Sequence, residues 1–300
     1  MGLIYYRKIT YIISGTLVLL SLAALLVWGL QLGIDFTGGS LLEVEYTVLR
    51  PSLDDMNSRV TAAGIPHAVI QPTGERGVLI RTEHLSEERH LALAENLTGG
   101  DKESMIEKRF DAIGPTIGRE LARKSVWAIV LVIFLIVVYI AWAFRHVSEP
   151  VASWKYGIAT VIALTHDVSI PIGVFSVLGH FYGVEVDTLF VTALLTILGF
   201  SVHDTIVVFD RIRENLKNMK GRPAFETVVG DSISQTMTRS INTSLTVLLV
   251  MISIYIFGGA SIAYFALALI IGVFFGTYSS ICLASPILVT WQKWSERRVG

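Results

Sequence analysis

A single cysteine in 300 residues excludes an intrachain disulfide and any cysteine-based metal cluster. That residue, Cys282, lies in an apolar run and reads as a small packing group. Charge is scarce too: Asp, Glu, Lys and Arg make up 16% of the chain against 52% hydrophobic residues, a balance that belongs in a bilayer. Neither sign dominates, with 24 Lys and Arg against 25 Asp and Glu, so nothing in the net charge points to a nucleic-acid partner. Several catalytic motifs are missing: His-Glu-x-x-His, Gly-x-Ser-x-Gly, a Walker A glycine loop and Gly-x-Gly-Asp. Their absence argues against hydrolytic chemistry, and we expect no enzyme and no cofactor or metal.

Long apolar runs fill the sequence instead. The first, residues 9–30, follows Arg7-Lys8, exceeds a signal-peptide core in length and runs into Leu32-Gly33-Ile34-Asp35 without a small-x-small cleavage pattern. It reads as a retained anchor. Residues 125–144, 156–178, 188–209, 235–257 and 262–290 also reach spanning length. Six spans place both termini on one side. Residues 145–155 and 211–222 are basic while 179–187 and 258–261 contain no Lys or Arg, so that side is the cytoplasm. The chain divides into a cytoplasmic N-terminus with span 1 (1–30), an extracytoplasmic segment (31–124), spans 2–6 (125–290) and a cytoplasmic tail (291–300).

The outer segment has the pattern of a small α+β domain. Residues 40–46 alternate as a strand, and 52–63 have helical spacing behind a Ser52 N-cap. Short strands follow at 68–71 and 78–82, flanking a turn at 72–77. A polar amphipathic helix at 86–97, with Ser86 as N-cap, precedes a fourth strand at 105–112. The order is βαββαβ, the ferredoxin-like split βαβ. Gly114-Pro115-Thr116-Ile117-Gly118 is expected to break the chain before it returns to the membrane.

Two carboxylates fall inside spans, where each costs at least about 2.5–3.5 kcal/mol and calls for compensation. Asp167 is close to mid-span, whereas Asp204 precedes Asp210, where the fourth span ends, by six residues. If the fifth span starts near Gln235, Arg239 sits about 6 Å in, and Asp204 is about 9 Å before Asp210. Their depths match. Gln235, Arg239, Asn242 or Thr243, and Thr246 form one polar stripe on that helix, facing something hydrated. Two readings of an Asp204–Arg239 pair stand: a static ion pair that fixes helix register, or a proton-driven switch in which protonating Asp204 releases the arginine. His166-Asp167 and His203-Asp204 repeat a dipeptide, but neighbours on a helix point about 100° apart, so neither is expected to act as a dyad. The histidines read as packing or hydrogen-bonding groups, with a proton relay as the alternative. Asp210, Arg211, Arg213 and Glu214 form a charged helix end that is either solvated or a docking surface. Gly272 and Gly276 make a GxxxG face for close helix packing.

Three stretches together resemble the SecF family, the smaller subunit of the SecDF protein-export motor. They are Gly33-Ile34-Asp35-Phe36-Thr37-Gly38-Gly39, the run from Gly199-Phe200-Ser201-Val202-His203-Asp204 through Asp210-Arg211-Ile212-Arg213-Glu214-Asn215, and Gly272 through Pro286 with Gly276-Thr277-Tyr278-Ser279-Ser280. Ala112-Ile113-Gly114-Pro115-Thr116-Ile117-Gly118 and Ala163-Leu164-Thr165-His166-Asp167 fit as well. The resemblance implies a six-helix bundle of the RND superfamily in the bacterial inner membrane. It implies partnership with SecD beside the SecYEG channel, and use of the proton motive force to draw an unfolded preprotein outward. Asp204 and Arg239 match the family's functional intramembrane Asp and Arg, and the proton path is expected to need a carboxylate from SecD. His203 departs from the family, which usually has Asn there. The coupling ion is expected to be H+, with Na+ as the alternative. Motion is expected to reach the outer domain through the junctions at Gly33, Asp35, Gly38 and Gly39 and at Gly114, Pro115 and Gly118. Competing readings are an RND-type exporter of small molecules or lipids and a non-transporting assembly factor of the translocon.

Overall fold

The computed structural model describes residues 2–101, 103–145, 151–218 and 223–299. They form two compact units, one of Leu32–Val126 and one of Met1–Gln31 with Trp127–Gly300. The chain opens with a short helix α1 (Gly2–Tyr5) and the first long helix α2 (Arg7–Trp28), which Gly29 ends at a positive φ of 68°. A single helical turn α3 (Ile34–Thr37) starts the second unit, followed by β1 (Gly39–Tyr46), α4 (Leu53–Ala62), β2 (Val69–Thr73), β3 (Gly77–Thr82), α5 (Glu87–Thr98) and β4 (Met105–Ile113).

The sheet order is β2-β3-β1-β4 with every neighbour antiparallel, which is the ferredoxin-like arrangement that the element order predicts. Alternation in β1 sends Leu42, Val44 and Tyr46 to one face. There they meet Val78 and Ile80 of β3, Met56 and Val60 of α4, and Leu93 and Leu97 of α5 in one apolar core. Leu93 is fully buried. Leu93→Ala is therefore expected to cost about 2–5 kcal/mol, seen as lost amide-exchange protection of β1 and β3 in the full-length chain.

Local signals hold with two differences. Ser52 caps α4 as expected, its Oγ accepting from Asp55 N at 3.2 Å, but Ser86 takes an N-cap backbone shape without a side-chain cap bond. β2 extends beyond Gln71 through Pro72 to Thr73, which shrinks the expected turn. Pro72 is tolerated because β2 is an edge strand, where no outward N–H is required.

The expected break at 114–118 is confined to Gly114, between the end of β4 and the next helix. Helix α6 (Pro115–Ala143) starts at Pro115 and runs through Gly118, since proline at the first helical position removes only an N–H that would be unbonded anyway. Gly118 is needed for space: a Cβ there would lie 2.8 Å from Gly38 N and 3.1 Å from the Phe36 carbonyl carbon. Gly38, at φ +77°, approaches Pro115 in the same way, with 2.7 Å between an added Cβ and Pro115 Cα. Gly33 O receives the amides of Phe36 and Thr37 at 3.1 Å, and Asp35 lies in the first turn of α3. The first turn of α6 is thus packed directly on the backbone of α3 and its C-terminal glycines.

After α6 come α7 (Ser153–Tyr182), α8 (Thr188–Asn218), α9 (Phe225–Phe257), α10 (Ala260–Ser279), a π turn at Ser280–Ala284 and α11 (Ser285–Val299). Among the described residues, six helices are long and apolar enough to cross a membrane, the sixth being the run Ile262–Arg297. The most apolar stretches of α7, α8 and that sixth span are 56, 50 and 61% buried, against 17, 6 and 11% for α2, α6 and α9. The first three make the centre. Close approach there depends on glycine: at Gly272 a Cβ would fall 2.1 Å from Ile197 Cδ1, and at Gly276 3.2 Å from Ser201 Cβ. The expected GxxxG face of the last span therefore seats on α8. Helices α8 and α9 run past the expected limits at 209 and 235, because Ile212, Asn215, Phe225, Val228 and Ser232 bury one another beyond them.

Candidate functional site

Asp167 sits in the middle of α7, wholly buried. Pro171, one turn later, lacks the N–H that would bond the Asp167 carbonyl, so the helix is loosened at this residue. Its Oδ2 accepts from Ser201 Oγ of α8 at 2.5 Å and from Ser279 Oγ of α10 at 2.7 Å. Oδ1 lies 2.8 Å from Nδ1 of His166. The adjacent pair thus does bond, contrary to expectation. The helix sets the two Cβ directions apart, but both side chains are buried and their ends meet.

The second pair behaves as expected. His203 is exposed and Asp204 is buried, on different faces of α8. Asp204 Oδ1 accepts from Ser240 Oγ at 2.5 Å, and the buried Oδ2 has no hydrogen-bond partner among the described residues. Arg239 comes immediately before Ser240 and is exposed. Among the described residues, no ion pair joins Arg239 to Asp204, which corrects the pairing expected from their depths. Depth along the helix was right to within one residue, but a one-residue step turns a side chain by about 100°. Ser240 therefore faces Asp204 and Arg239 faces outward.

The polar stripe of Arg239, Asn242, Thr243 and Thr246 is exposed along its length. A second stripe on α9 escaped the sequence reading: Ser232, Thr236, Ser240 and Ser244 are all buried, spaced by four. That spacing of small hydroxyls was the available signal. Ser244 bonds Thr277 of α10, and Thr205 of α8 bonds Ser280 at 2.8 Å, so hydroxyls link α8, α9 and the sixth span around the two carboxylates. Among the described residues, no group of three or more His, Cys, Asp or Glu is placed to hold a metal.

The charged end of α8 is tied to α9. Arg211 Nε donates to Gln235 Oε1 at 2.5 Å and its Nη1 lies 2.6 Å from Glu214, while Arg213 and the exposed Asp210 approach to 3.9 Å. Asn215 Nδ2 donates to Ser232 Oγ at 2.8 Å and to Gln235 Oε1 at 2.9 Å. Asn215→Ala removes both of its bonds from α8 to α9 and leaves space at a buried position. It is expected to destabilise the bundle by about 1–3 kcal/mol, measured by thermal unfolding in detergent. Sequence reasoning also missed Glu226, which holds Arg7 of α2 and Lys293 of α11 at once.

Comparison with known proteins decides the family. Residues 93–294, more than half of the chain, match the model described as protein export membrane protein SecD/SecF, C-terminal. Residues 23–47 match the SecD/SecF GG motif. The chain belongs to the SecD/SecF family. It is 42% identical to the protein translocase subunit SecF of Thermobaculum terrenum, covering 97% of this chain and 93% of that protein, and 38% identical to the SecF of Anaerolinea thermophila. It is also 37% identical to the protein translocase subunit SecDF of Thermus thermophilus, over 94% of this chain and 37% of that longer one. The crystal structure of SecDF from the same organism, titled a translocon-associated membrane protein, aligns with a TM-score of 0.83 at 33% identity. That match covers 98% of this chain and 39% of the solved one. Within the family, the GG motif holds Gly38 and Gly39 at the α3 turn, and the C-terminal match contains Asp167, Asp204, Arg239 and the π turn.

Proposed function

We propose that this multi-pass membrane protein is the SecF partner in a SecDF complex that helps move unfolded preproteins outward, driven by the proton motive force. The observation that carries this reading is Asp204: a buried carboxylate in a membrane-spanning helix with one oxygen bonded to Ser240 and the other unpartnered. Such a group changes charge without a chemical step elsewhere. Asp167, Arg239 and His203 complete the proposed proton-coupling set, and the exposed Arg239 stripe is the side on which SecD would supply its own carboxylate.

Support for the partner comes from chain length as well as chemistry, since the solved SecDF chain is more than twice as long as the part matched here. The remaining partners are the SecYEG channel and the lipid bilayer. The basic short loops orient both termini to the cytoplasm, in the bacterial inner membrane. The proposal is tested by translocating a preprotein into inverted membrane vesicles that contain the chain with SecD, under an imposed proton gradient or an imposed sodium gradient. Stimulation by the proton gradient supports it. Stimulation by sodium alone assigns the other ion, and equal rates with and without the chain under both gradients would remove the motor reading.

A further inference from the structure

The sixth span is not a regular helix. Five residues, Ser280–Ala284, form a π turn between α10 and α11, and proline follows at 286. Pro286 has no N–H for the carbonyl four residues back, and its ring crowds that carbonyl. The carbonyl belongs to Cys282, and Thr10 Oγ1 of α2 lies 2.9 Å from it, the same distance as from Arg7 O, so one hydroxyl hydrogen is shared between the two. Ser285 Oγ donates to Ser280 O, five residues back, at 3.0 Å. Proline thus follows closely on the wide turn, and a hydroxyl of another helix reaches the one carbonyl that it frees.

Turns of this kind recur at functional sites. Here the π turn begins one residue after Ser279, the hydroxyl that donates to Asp167, and its own first residue bonds Thr205 of α8. Its other flank is stitched to α2: Tyr278 OH donates to Thr10 O at 3.3 Å, and Ser14 Oγ donates to Tyr278 OH at 3.4 Å. By chain connectivity α2 is the helix that leads to the GG motif.

We propose that the Pro286 π turn carries the charge state of Asp167 to the first span, with Thr10 as the positioning residue on the far side. The proposal rests on the reading of Asp167 as a coupling carboxylate. When charged, Asp167 accepts from both Ser201 and Ser279. With the His166 Nδ1 hydrogen directed at Oδ1, a proton taken up by Asp167 sits on Oδ2, which then donates to one of the two hydroxyls and loses the other. Ser279 is the one with somewhere to go, because it already reaches Gly276 O at 3.0 Å. Its departure removes the anchor at the start of the π turn and shifts the Cys282 carbonyl against Thr10. The other titratable or charged groups around this point are His166 on α7, Asp204 on α8, Tyr278 on α10 and Tyr11 on α2, with Arg239 on the outward face of α9.

The half-buried Cys282 lies inside the turn and is the chain's one thiol, so it is a native reporter. The experiment measures its rate of modification by a small membrane-permeant thiol reagent, on the full-length chain in lipid nanodiscs. Asp167→Asn, Ser279→Ala and Thr10→Val are each expected to speed modification by about 2- to 10-fold, the scale of one net hydrogen bond. Thr10→Ser should restore the original rate, and Asp167→Asn combined with Thr10→Val should be no faster than the faster single variant. Ser279→Ala keeps the charge and carries the test if Asp167→Asn does not assemble. Wild-type rates in Ser279→Ala, or a double variant whose effect is the product of the singles, would overturn the proposal. Because no translocation is measured, that outcome leaves the proton-driven reading to be judged separately by export.

Discussion

Asp204→Asn is expected to reduce gradient-driven export to the rate seen in vesicles that lack the chain, while the chain's abundance and the gradient-independent rate stay unchanged. The asparagine keeps the size of the aspartate and an oxygen that still accepts from Ser240, so the packing of α8 on α9 survives. What it loses is the ability to change charge. One charge crossing 100 mV of membrane potential is worth about 2.3 kcal/mol, a bias of about fifty-fold between two states. Without a titrating group at Asp204 that bias has nothing to act on. Arg239→Met is expected to give the same loss, because the outward arginine is the nearest cation by sequence to the Ser240 bond. Preprotein translocation into inverted vesicles with and without a gradient measures both. Normal stimulation in the two variants would leave only the assembly-factor reading, whereas intact preprotein export with lost efflux of a small molecule would favour the exporter.

The largest structural effect is expected from Gly118→Val. An added Cβ at Gly118 meets the backbone of Gly38 and Phe36, at 2.8 and 3.1 Å, and backbone has no rotamer with which to turn aside. Forcing a side chain into such a space costs about 1–3 kcal/mol, and valine adds two methyl groups to the first one. The α3 turn and the start of α6 would separate, so the unit Leu32–Val126 should become susceptible to protease in the full-length chain and export should fall. Gly114→Ala is the matched control: an added Cβ there meets nothing within 4 Å, and a near-native protease pattern is expected.

Much of this was legible before any coordinates. Alternation in 40–46 and 78–82 gave strands, Ser52 gave a helix start, and the order of elements gave the ferredoxin-like sheet, because each depends on local periodicity. The six spans were legible for the same reason, as runs of apolar length. The site was legible in depth and not in azimuth. Arg239 and Ser240 differ by one step along α9, and only packing decides which of them meets Asp204. The His166–Asp167 bond and the buried hydroxyl stripe were hidden for a related reason: serine and threonine carry no burial signal in composition, and their role depends on which helix lies opposite. The π turn is different again: residues 262–290 read as one apolar run, and Thr10, which reaches the carbonyl freed by Pro286, is far away in the chain.

The outward stripe of Arg239, Asn242, Thr243 and Thr246 also bears on how the protein is made. An arginine turned toward acyl chains is unfavourable, by up to about 2.5–3.5 kcal/mol at the centre of a span on insertion scales. A chain synthesised without its partner therefore has a persistent reason to be drawn back out of the lipid or to be removed by membrane proteases. Where that face is the proposed SecD side, supply in the cell would follow the amount of SecD available, and the uncovered stripe would mark an orphan subunit.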